Sequence, residues 1–347
     1  MSGFFKIMIS TLLIYTGILS LFASDGKMQE YKLKSGVVIY SIIGEGILAP
    51  DLNLTIAGEG KLRFRDWGKV AMVEEQIEES TSGAFKNIEK FTKCIKYDIK
   101  QQFDVNYDQG IILERPIPKG RGLKDLTVGM MPHGKDVIAG RECEVWAREG
   151  VRVCLYKGIP LLIEKDLFGI HYEKKALWVK ENIEVATDQC SIPNFPVQKI
   201  ALFKTSIKQK KGPVEVSKYL SNILDEIAGK NSIDIKKHKQ YYLNRLGEHI
   251  FERQKALLPE MLESMKRARE CLQGADDSLE ANSCIEELNT FKAKMAKEDK
   301  NHIDTWNKKE KNRILDEFDE NIAVLESRMK CIRAAKNISD LSSCMSK

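Results

Sequence analysis

Apolar and polar residues alternate with different periods in the two halves of the chain. Between residues 31 and 203, segments such as LNLTI and KLRFR alternate at every second residue, and YKLKSGVVIYSII is rich in β-branched and aromatic residues. Both patterns are typical of β-strands. Turn sequences that contain glycine, such as GEG, DWG and PHG, separate these segments. We therefore predict a single antiparallel sheet or open half-barrel in this half.

From residue 214 onward the spacing of apolar residues becomes that of amphipathic helices. KYLSNILDEIAG has this spacing, and no Gly or Pro follows Gly274. The spacing continues through 278–330, with the polar stretch KEDKNHIDTWNKKEKN in its middle. This stretch indicates either the exposed middle of one helix, about 80 Å long at 1.5 Å per residue, or a break. The predicted fold class is α+β, with an antiparallel β-sheet or half-barrel domain followed by a helical domain.

A repeat in the helical half carries four cysteines. RECLQGADDSLEANSC at 269–284 aligns with MKCIRAAKNISDLSSC at 329–344. In each copy a capping residue, Asp277 or Asn337, is followed three residues later by an acidic residue, a pattern that is typical of a helix start. Each copy therefore predicts two helices joined by a turn and a disulfide, and we expect the two α-hairpins to share the long helix between them. The predicted disulfides are Cys271–Cys284 and Cys331–Cys344.

The N-terminus has the pattern of a secretory signal peptide. One lysine in MSGFFK precedes sixteen uncharged residues, 7–22, and the small residues of ASDG follow. This order predicts export and cleavage. An uncleaved membrane span, which needs about 20 apolar residues, is the alternative. The predicted parts of the chain are a signal peptide (1–23), a β-rich domain (25–206), a linker with a short helix (207–235) and a helical hairpin domain (236–347).

Export gives the eight cysteines a structural role. Exported proteins favour disulfides, and the sequence has no C-x-x-C pair of the kind that zinc and redox sites use. GRECEVWAREGVRVCLYKGIPL predicts a β-hairpin that brings Cys143 and Cys154 together, either opposite each other or diagonally. Cys94 and Cys190 are then the remaining couple, although four cysteines permit three pairings. We expect four disulfides in a periplasmic or secreted protein.

Charge and motifs narrow the classes of function. The net charge of +5 falls to +4 when Lys6 leaves with the signal peptide, and this mild excess does not indicate nucleic-acid binding. The sequence has no G-x-S-x-G elbow, phosphate-binding loop or H-E-x-x-H motif, so we predict no enzyme, no metal site and no cofactor. The N-x-T sequence at Asn53, with Asp51 two residues earlier, is a candidate glycosylation site.

The β-rich half resembles the lipoprotein carriers LolA and LolB. The resemblance rests on the short strands, on CEVW…CLYKGIPL and on the IPNFP exit, and it covers residues 31–203. Those carriers are half-open β-barrels packed on helices, with an apolar cavity for acyl chains, so the resemblance implies a lipid or lipoprotein ligand. The alternative is that the large apolar side chains of this half are core packing. The candidate pocket residues are Phe64, Trp67, Met130, Met131, Trp146, Phe168 and Trp178.

The sequence supports two functional hypotheses. In the first, the β-domain of an exported carrier-like protein binds lipid, lipoprotein or a partner segment, and the helices cover it or bind a protein partner. In the second, a non-enzymatic scaffold of the cell envelope acts through its helical arm. A large apolar cavity in the β-domain favours the first hypothesis. A filled β core with an exposed apolar stripe along 278–330 favours the second.

Overall fold

The sheet and the helices occupy successive parts of the chain. The structure is a computed structural model that describes residues 30–99, 101–107, 109–117, 126–187, 191–199, 216–228, 230, 232–296 and 301–346. The predicted signal peptide, part of the predicted linker and Cys190 lie outside these residues. Within them, a twelve-stranded sheet is followed by seven α-helices, which confirms the predicted α+β class.

The sheet is open, and β1 joins its two halves. The strand order is β12-β6-β5-β4-β3-β2-β1-β11-β10-β9-β8-β7. Neighbouring strands are antiparallel except β12, which pairs in parallel with β6. The strands are β1 (Gly36–Ala49), β2 (Leu52–Arg65), β3 (Val70–Gly83), β4 (Asn87–Asp98), β5 (Gln101–Asn106), β6 (Ile111–Pro116), β7 (Met131–Ile138), β8 (Arg141–Arg148), β9 (Val151–Tyr156), β10 (Ile159–Leu167), β11 (Ile170–Glu181) and β12 (Val197–Lys199).

The helices continue from the sheet in one run. Their apolar stripes have the three- and four-residue spacing that the sequence predicts. The helices described in the structure are α1 (Val216–Ile227), α2 (Ser232–Lys237), α3 (Lys239–Leu246), α4 (Glu248–Gly274), α5 (Ser278–Ala296), α6 (Lys308–Ala334) and α7 (Ile338–Met345).

One face of the sheet, the inner face, carries two apolar cores. Alternate residues of β1 point to this face, and Val38, Tyr40 and Ile42 are buried there. At one end of the strands, Ile42 belongs to a core that includes α1, α3, α4 and α7. At the other end, Val38 and Tyr40 belong to a second core, which strands β8 to β10 close. The inner face is therefore filled by packing on both sides of its middle.

A buried ionic group lies on the inner face between these two cores. Glu75 is 4% exposed and pairs with Lys174 and, at 2.9 Å, with Lys93. Its partner on β2 is Gly60. A Cβ atom at Gly60 would lie within 3.5 Å of Tyr40 and Lys174, so these side chains pack directly over the glycine. Burial raises the pKa of Glu75, but the two ammonium groups outweigh burial and lower it to about 2. The carboxylate is therefore ionised throughout the physiological range.

The opposite, outer face carries a smaller core around Cys94. Val37, Met72 and Val105 pack beside it, together with the segment that precedes β12. The prediction that Cys94 pairs with Cys190 is wrong for this structure, because the Cys94 thiol is free and buried. Burial raises the pKa of this thiol to about 11, against a smaller opposing effect of its hydrogen bond with Tyr107. Such a thiol stays protonated and unreactive at neutral pH.

Both predicted helical hairpins are present and carry their disulfides. Cys271 is bonded to Cys284, and Cys331 to Cys344. The capping pattern is also repeated. The side chain of Asp277 accepts a hydrogen bond from the backbone N–H of Glu280, and the side chain of Glu280 accepts one from the backbone N–H of Asp276. Asn337, Asp340 and Lys336 make the same two bonds in the second hairpin. The repeat extends further than the cysteines, because α4 and α6 both have 27 residues and start sixty positions apart.

The two hairpins do not share one long helix, which corrects the sequence prediction. α5 ends at Ala296, residues 301–307 are not helical, and α6 begins at Lys308. Asn307 caps the new helix by accepting a hydrogen bond from the backbone N–H of Glu310 at 3.0 Å. The polar stretch is therefore a break, and it turns the chain back so that α6 packs against α4.

The third disulfide confirms the predicted β-hairpin pairing. Cys143 of β8 is bonded to Cys154 of β9. The residue directly opposite Cys154 is Val145, so the disulfide crosses the two strands diagonally. Both cysteines are buried in the core that closes the inner face. The disulfide thus fixes the strands that cover this end of the sheet.

The buried ionic group predicts a specific dependence of stability on pH. The folded-state pKa of Glu75 is below its ordinary value of 4.5, so its contribution is complete above that value and is lost as the pH falls from about 4.5 toward 2. We expect Glu75→Gln to lower the free energy of unfolding by about 3–5 kcal/mol at pH 7, because Lys174 is left buried without its counter-charge. Urea unfolding between pH 2 and 7 measures both effects.

Glu78→Gln is the matched control on the same strand. Glu78 pairs with Lys90 at 2.7 Å, and both side chains are more than 40% exposed. Loss of this exposed pair is expected to cost less than about 1 kcal/mol. A Glu75→Gln protein as stable as Glu78→Gln would contradict a structural role for the ionic group.

The Cys94 thiol gives a second test. Alkylation of the non-reduced protein, followed by peptide mapping, is expected to modify Cys94 after unfolding in urea and to leave it unmodified in the folded state. The physical reason is its burial and its raised pKa. A peptide that carries Cys94 linked to Cys190 would instead support the pairing that the sequence predicts.

Candidate functional site

A cleft with a volume of about 760 Å³ lies between the helices. Its floor is formed by Met261 and Met265 of α4, and Ile285 of α5 forms one wall. Phe318 and Val324 belong to the opposite wall on α6. The lining is apolar at its base and polar at its rim, as is typical of binding clefts.

One continuous face of α6 lines the cleft. The contributing residues recur at intervals of three and four from Glu310 to Arg328, so they form a single stripe along the helix. At 1.5 Å per residue this stripe is about 27 Å long. Val324 lies on it and is 43% exposed. Part of the apolar face of α6 is therefore open to solvent within the cleft.

The cleft lies where the two copies of the repeat meet. Lining residues from the two copies correspond at a separation of sixty positions. The corresponding pairs are Met261 and Asn321, Met265 and Leu325, and Ile285 and Met345. At one end of the cleft, Arg328 donates a hydrogen bond to the backbone carbonyl of Met345 at 2.6 Å.

The segment 301–307 forms part of one wall and is held by side chains of α5. Asn282 donates to the carbonyl of Ile303 and accepts from its N–H, both at 2.9 Å. Asn289 makes the same pair of bonds with Asn301 at 3.0 Å. Trp306 then donates its indole N–H to the carbonyl of Ala275 at 2.9 Å. These bonds satisfy the backbone of a segment that has no helix or strand partners.

The rim of the cleft carries more carboxylates than cations. Asp304, Glu310 and Glu317 line it, and Arg313 pairs with both glutamates along the helix. The hydrogen bond from Arg313 lowers the pKa of Glu310 below its ordinary value. Asp304 is 88% exposed, 3.7 Å from His302. Arg328 is the other arginine of the lining, so the three carboxylates outnumber the two guanidinium groups.

Helix α4 connects the cleft to the sheet through buried polar groups. Glu89 of β4 lies 3.0 Å from Arg253 and 3.2 Å from His249. Burial raises the pKa of Glu89, but its hydrogen bonds and charge interactions with His249 and Arg253 lower it overall. Gln254 donates to the side chain of Asn87 at 3.2 Å. The first turns of α4 are thereby fixed on the sheet, and its later turns form the floor of the cleft.

The pocket residues that the sequence predicts in the β-domain are not brought together. Phe64 is buried in the core at one end of the inner face, with Tyr31 at a ring distance of 4.7 Å. Phe168 stacks on Tyr242 of α3 at 5.9 Å. Trp67 lies in the turn between β2 and β3, in a left-handed backbone conformation.

The other predicted residues lie at the surface or near it. Met131 is 75% exposed on β7, the edge strand, and Trp178 is 41% exposed on β11. Met130 precedes β7 and is half-buried, and Trp146 of β8 is half-buried as well. Phe64, Met131 and Trp178 therefore do not line a common pocket. Asn53, the candidate glycosylation site, is exposed on β2.

The cleft residues form the site that sequence reasoning missed. The apolar spacing of α5 and α6 predicts their packing faces, but it does not reveal that part of one face stays uncovered. The available signal is the repeat, since extending it along α4 and α6 brings Met265 into alignment with Leu325. The break between α5 and α6 sets the direction of α6. It depends on the hydrogen bonds of Asn282 and Asn289 to the backbone of residues 301–303, which the local sequence pattern does not reveal.

Two further observations concern the described residues alone. None of their helices is long and apolar enough to cross a membrane. No group of three or more His, Cys, Asp or Glu side chains in this part of the chain is arranged to hold a metal ion.

Comparison with known proteins assigns no family to the chain. No protein-family model matches it, and no curated protein does. It is similar to the crystal structure of an uncharacterized conserved protein from Thermus thermophilus, at 10% identity over 47% of this chain and 90% of that chain, with a TM-score of 0.27. It is also similar to the crystal structure of MucB, at 13% identity over 48% of this chain and 60% of that chain, with a TM-score of 0.25. Similarities at this level do not assign a function.

The hydrogen bonds of Asn282 predict a measurable role in shaping the wall. We expect Asn282→Ala to lower the free energy of unfolding by about 1–3 kcal/mol, because the backbone groups of Ile303 lose their partners. Amide exchange at Ile303 should accelerate in the same variant. Asn321→Ala is the control, since Asn321 is exposed and donates its hydrogen bond to the Glu317 carbonyl of its own helix. Equal stability of the two variants would contradict this role.

Proposed function

We propose that this protein is an exported, non-enzymatic binding protein whose binding site is the cleft between α4, α5 and α6. The observation that carries the proposal is a cleft of about 760 Å³ with an apolar base and a polar rim, beside a sheet whose inner face carries two packed cores. The volume is within the range of typical ligand pockets, about 300–1,000 Å³.

The periplasm, or the outside of the cell, is the compartment that we propose. Three disulfides support it, because disulfides form and persist in oxidising compartments. The signal-peptide pattern of residues 1–23 supports the same location.

In this proposal the helical arm, which comprises α4 to α7, binds the partner. Of the two hypotheses, the packed inner face favours the envelope scaffold that binds a partner through its helices. The sheet then serves as the platform on which α4 is fixed. The relation of this sheet to LolA and LolB stays a proposal, and its covered inner face would differ from a half-barrel that holds acyl chains.

A carrier of lipid or another small apolar ligand is the second candidate. Two methionines on the floor of the cleft favour it, because methionine side chains adapt to ligands of irregular shape. In this case the ligand would lie between the helices, and the residues predicted in the β-domain would not contact it.

Binding of a neutral apolar dye such as Nile red tests the site. We expect the wild-type protein to enhance the dye's emission, and Val324→Glu to bind it about fivefold more weakly or worse, because the dye would have to desolvate a carboxylate. Val324 is partly exposed, so the fold should tolerate the change.

Val137→Glu provides the matched control. Val137 is 67% exposed on β7, far along the chain from the cleft. The control should bind the dye as the wild type does. Equal binding by Val324→Glu and the wild type would place the dye elsewhere and contradict the proposed site.

A further inference from the structure

The repeat shows what kind of body fits the cleft. In the first copy, α5 has 19 residues and packs against α4. In the second copy, α7 has only 8 residues and ends at Met345. The counterpart of Met345 in the first copy is Ile285, where α5 continues for another eleven residues. The cleft begins at Met345 and extends along α6, so it lies beside α6 at the position that the part of α5 after Ile285 occupies beside α4.

We propose that the cleft is the docking site of one basic amphipathic helix from a partner protein. The inference rests on the proposed function, since it names the class of ligand for the same cleft. The partner helix would lie beside α6 as α5 lies beside α4. It would complete a bundle in which each long helix of the repeat has a full-length neighbour.

The dimensions of the cleft suit a helix. The stripe of α6 that lines it, from Glu310 to Arg328, covers about five turns. A partner helix of about 18 residues matches this length. Helices pack by setting the side chains of one between those of the other, and the exposed Val324 lies between Asn321 and Arg328 on that stripe.

The α4–α5 contact indicates the apolar pattern of the partner. Ala281, Ile285 and Leu288 of α5 are buried at intervals of four and three residues, which places them on one helix face. The partner should carry apolar side chains at the same intervals. Such helices recognise apolar grooves through anchors on one face.

The charge of the rim selects a basic helix. Asp304 and Glu317 are exposed at 88% and 61% of their side-chain surfaces. Arg313 is the exposed guanidinium between Glu310 and Glu317 and is already paired with both. Lysine or arginine beside the apolar anchors would complement these carboxylates, whereas acidic residues would be repelled. An anionic lipid headgroup would meet the same repulsion.

The test compares two labelled peptides of about 18 residues, a length at which alanine-rich helices begin to be stable alone. Both carry leucine at intervals of four and three residues on an alanine background. One has lysine at the flanking positions and the other has glutamate. Fluorescence anisotropy with the full mature protein is expected to give at least about tenfold tighter binding for the lysine peptide at low salt, with the difference shrinking at high salt.

Charge reversal at the rim provides the second arm. We expect Glu317→Lys to weaken binding of the lysine peptide about fivefold, which corresponds to an exposed charge pair. Glu320→Lys is the control, because Glu320 is exposed on the same helix and does not line the cleft. Nile red binding by Glu320→Lys should be the same as by the wild type.

The outcomes separate this inference from the proposed function. Selective binding of the lysine peptide that falls with Glu317→Lys and not with Glu320→Lys supports a basic helix. Dye binding in the cleft without peptide binding, or equal binding of the two peptides, overturns the inference and favours a small apolar ligand such as a lipid. If the wild-type protein did not bind the dye, the proposed site would be refuted.

Discussion

Each helical hairpin depends on the same two constraints, a capping box at the turn and a disulfide below it. The cap satisfies backbone N–H groups at the start of the returning helix, and the disulfide fixes the height at which that helix lies against its neighbour. A disulfide across 13 residues contributes roughly 3 kcal/mol by restricting the unfolded chain. Two helices with a thin apolar seam can then keep one arrangement. The shape of the cleft follows, because its walls are the helices that these constraints position.

α4 connects the helical hairpins to the sheet. Its first turns meet Glu89 and Asn87 of β4, and its later turns carry the methionines that form the floor of the cleft. Buried polar contacts are directional, so they fix the rotation of the helix about its axis as well as its position. The apolar residues of the inner face supply attraction without that specificity. The sheet and the helical arm are thus parts of one assembly.

Sequence patterns correctly predicted the features that depend on contacts between residues close together in the chain. The pairs Cys271–Cys284 and Cys143–Cys154 are close in sequence, and their turns and spacing indicated them. Cys94 was different, because its partner had to be chosen by elimination, and the structure places its thiol in a core with Val105 and Met72 instead. Distant contacts also separate the pocket residues that were predicted in the β-domain. Strand alternation identifies an inner face, but not the helices and strands that cover it.

The polar stretch between α5 and α6 is the clearest case of a distant contact with a functional consequence. A continuous helix over 278–330 would hold the two disulfides far apart, and α6 could not lie against α4. The hydrogen bonds of Asn282 and Asn289 to the 301–303 backbone compete with helix formation there. Asn307 then starts a new helix in the opposite direction to α4. The cleft forms because the chain changes direction here and places α6 against α4. A polar stretch of the sequence therefore determines where the cleft lies.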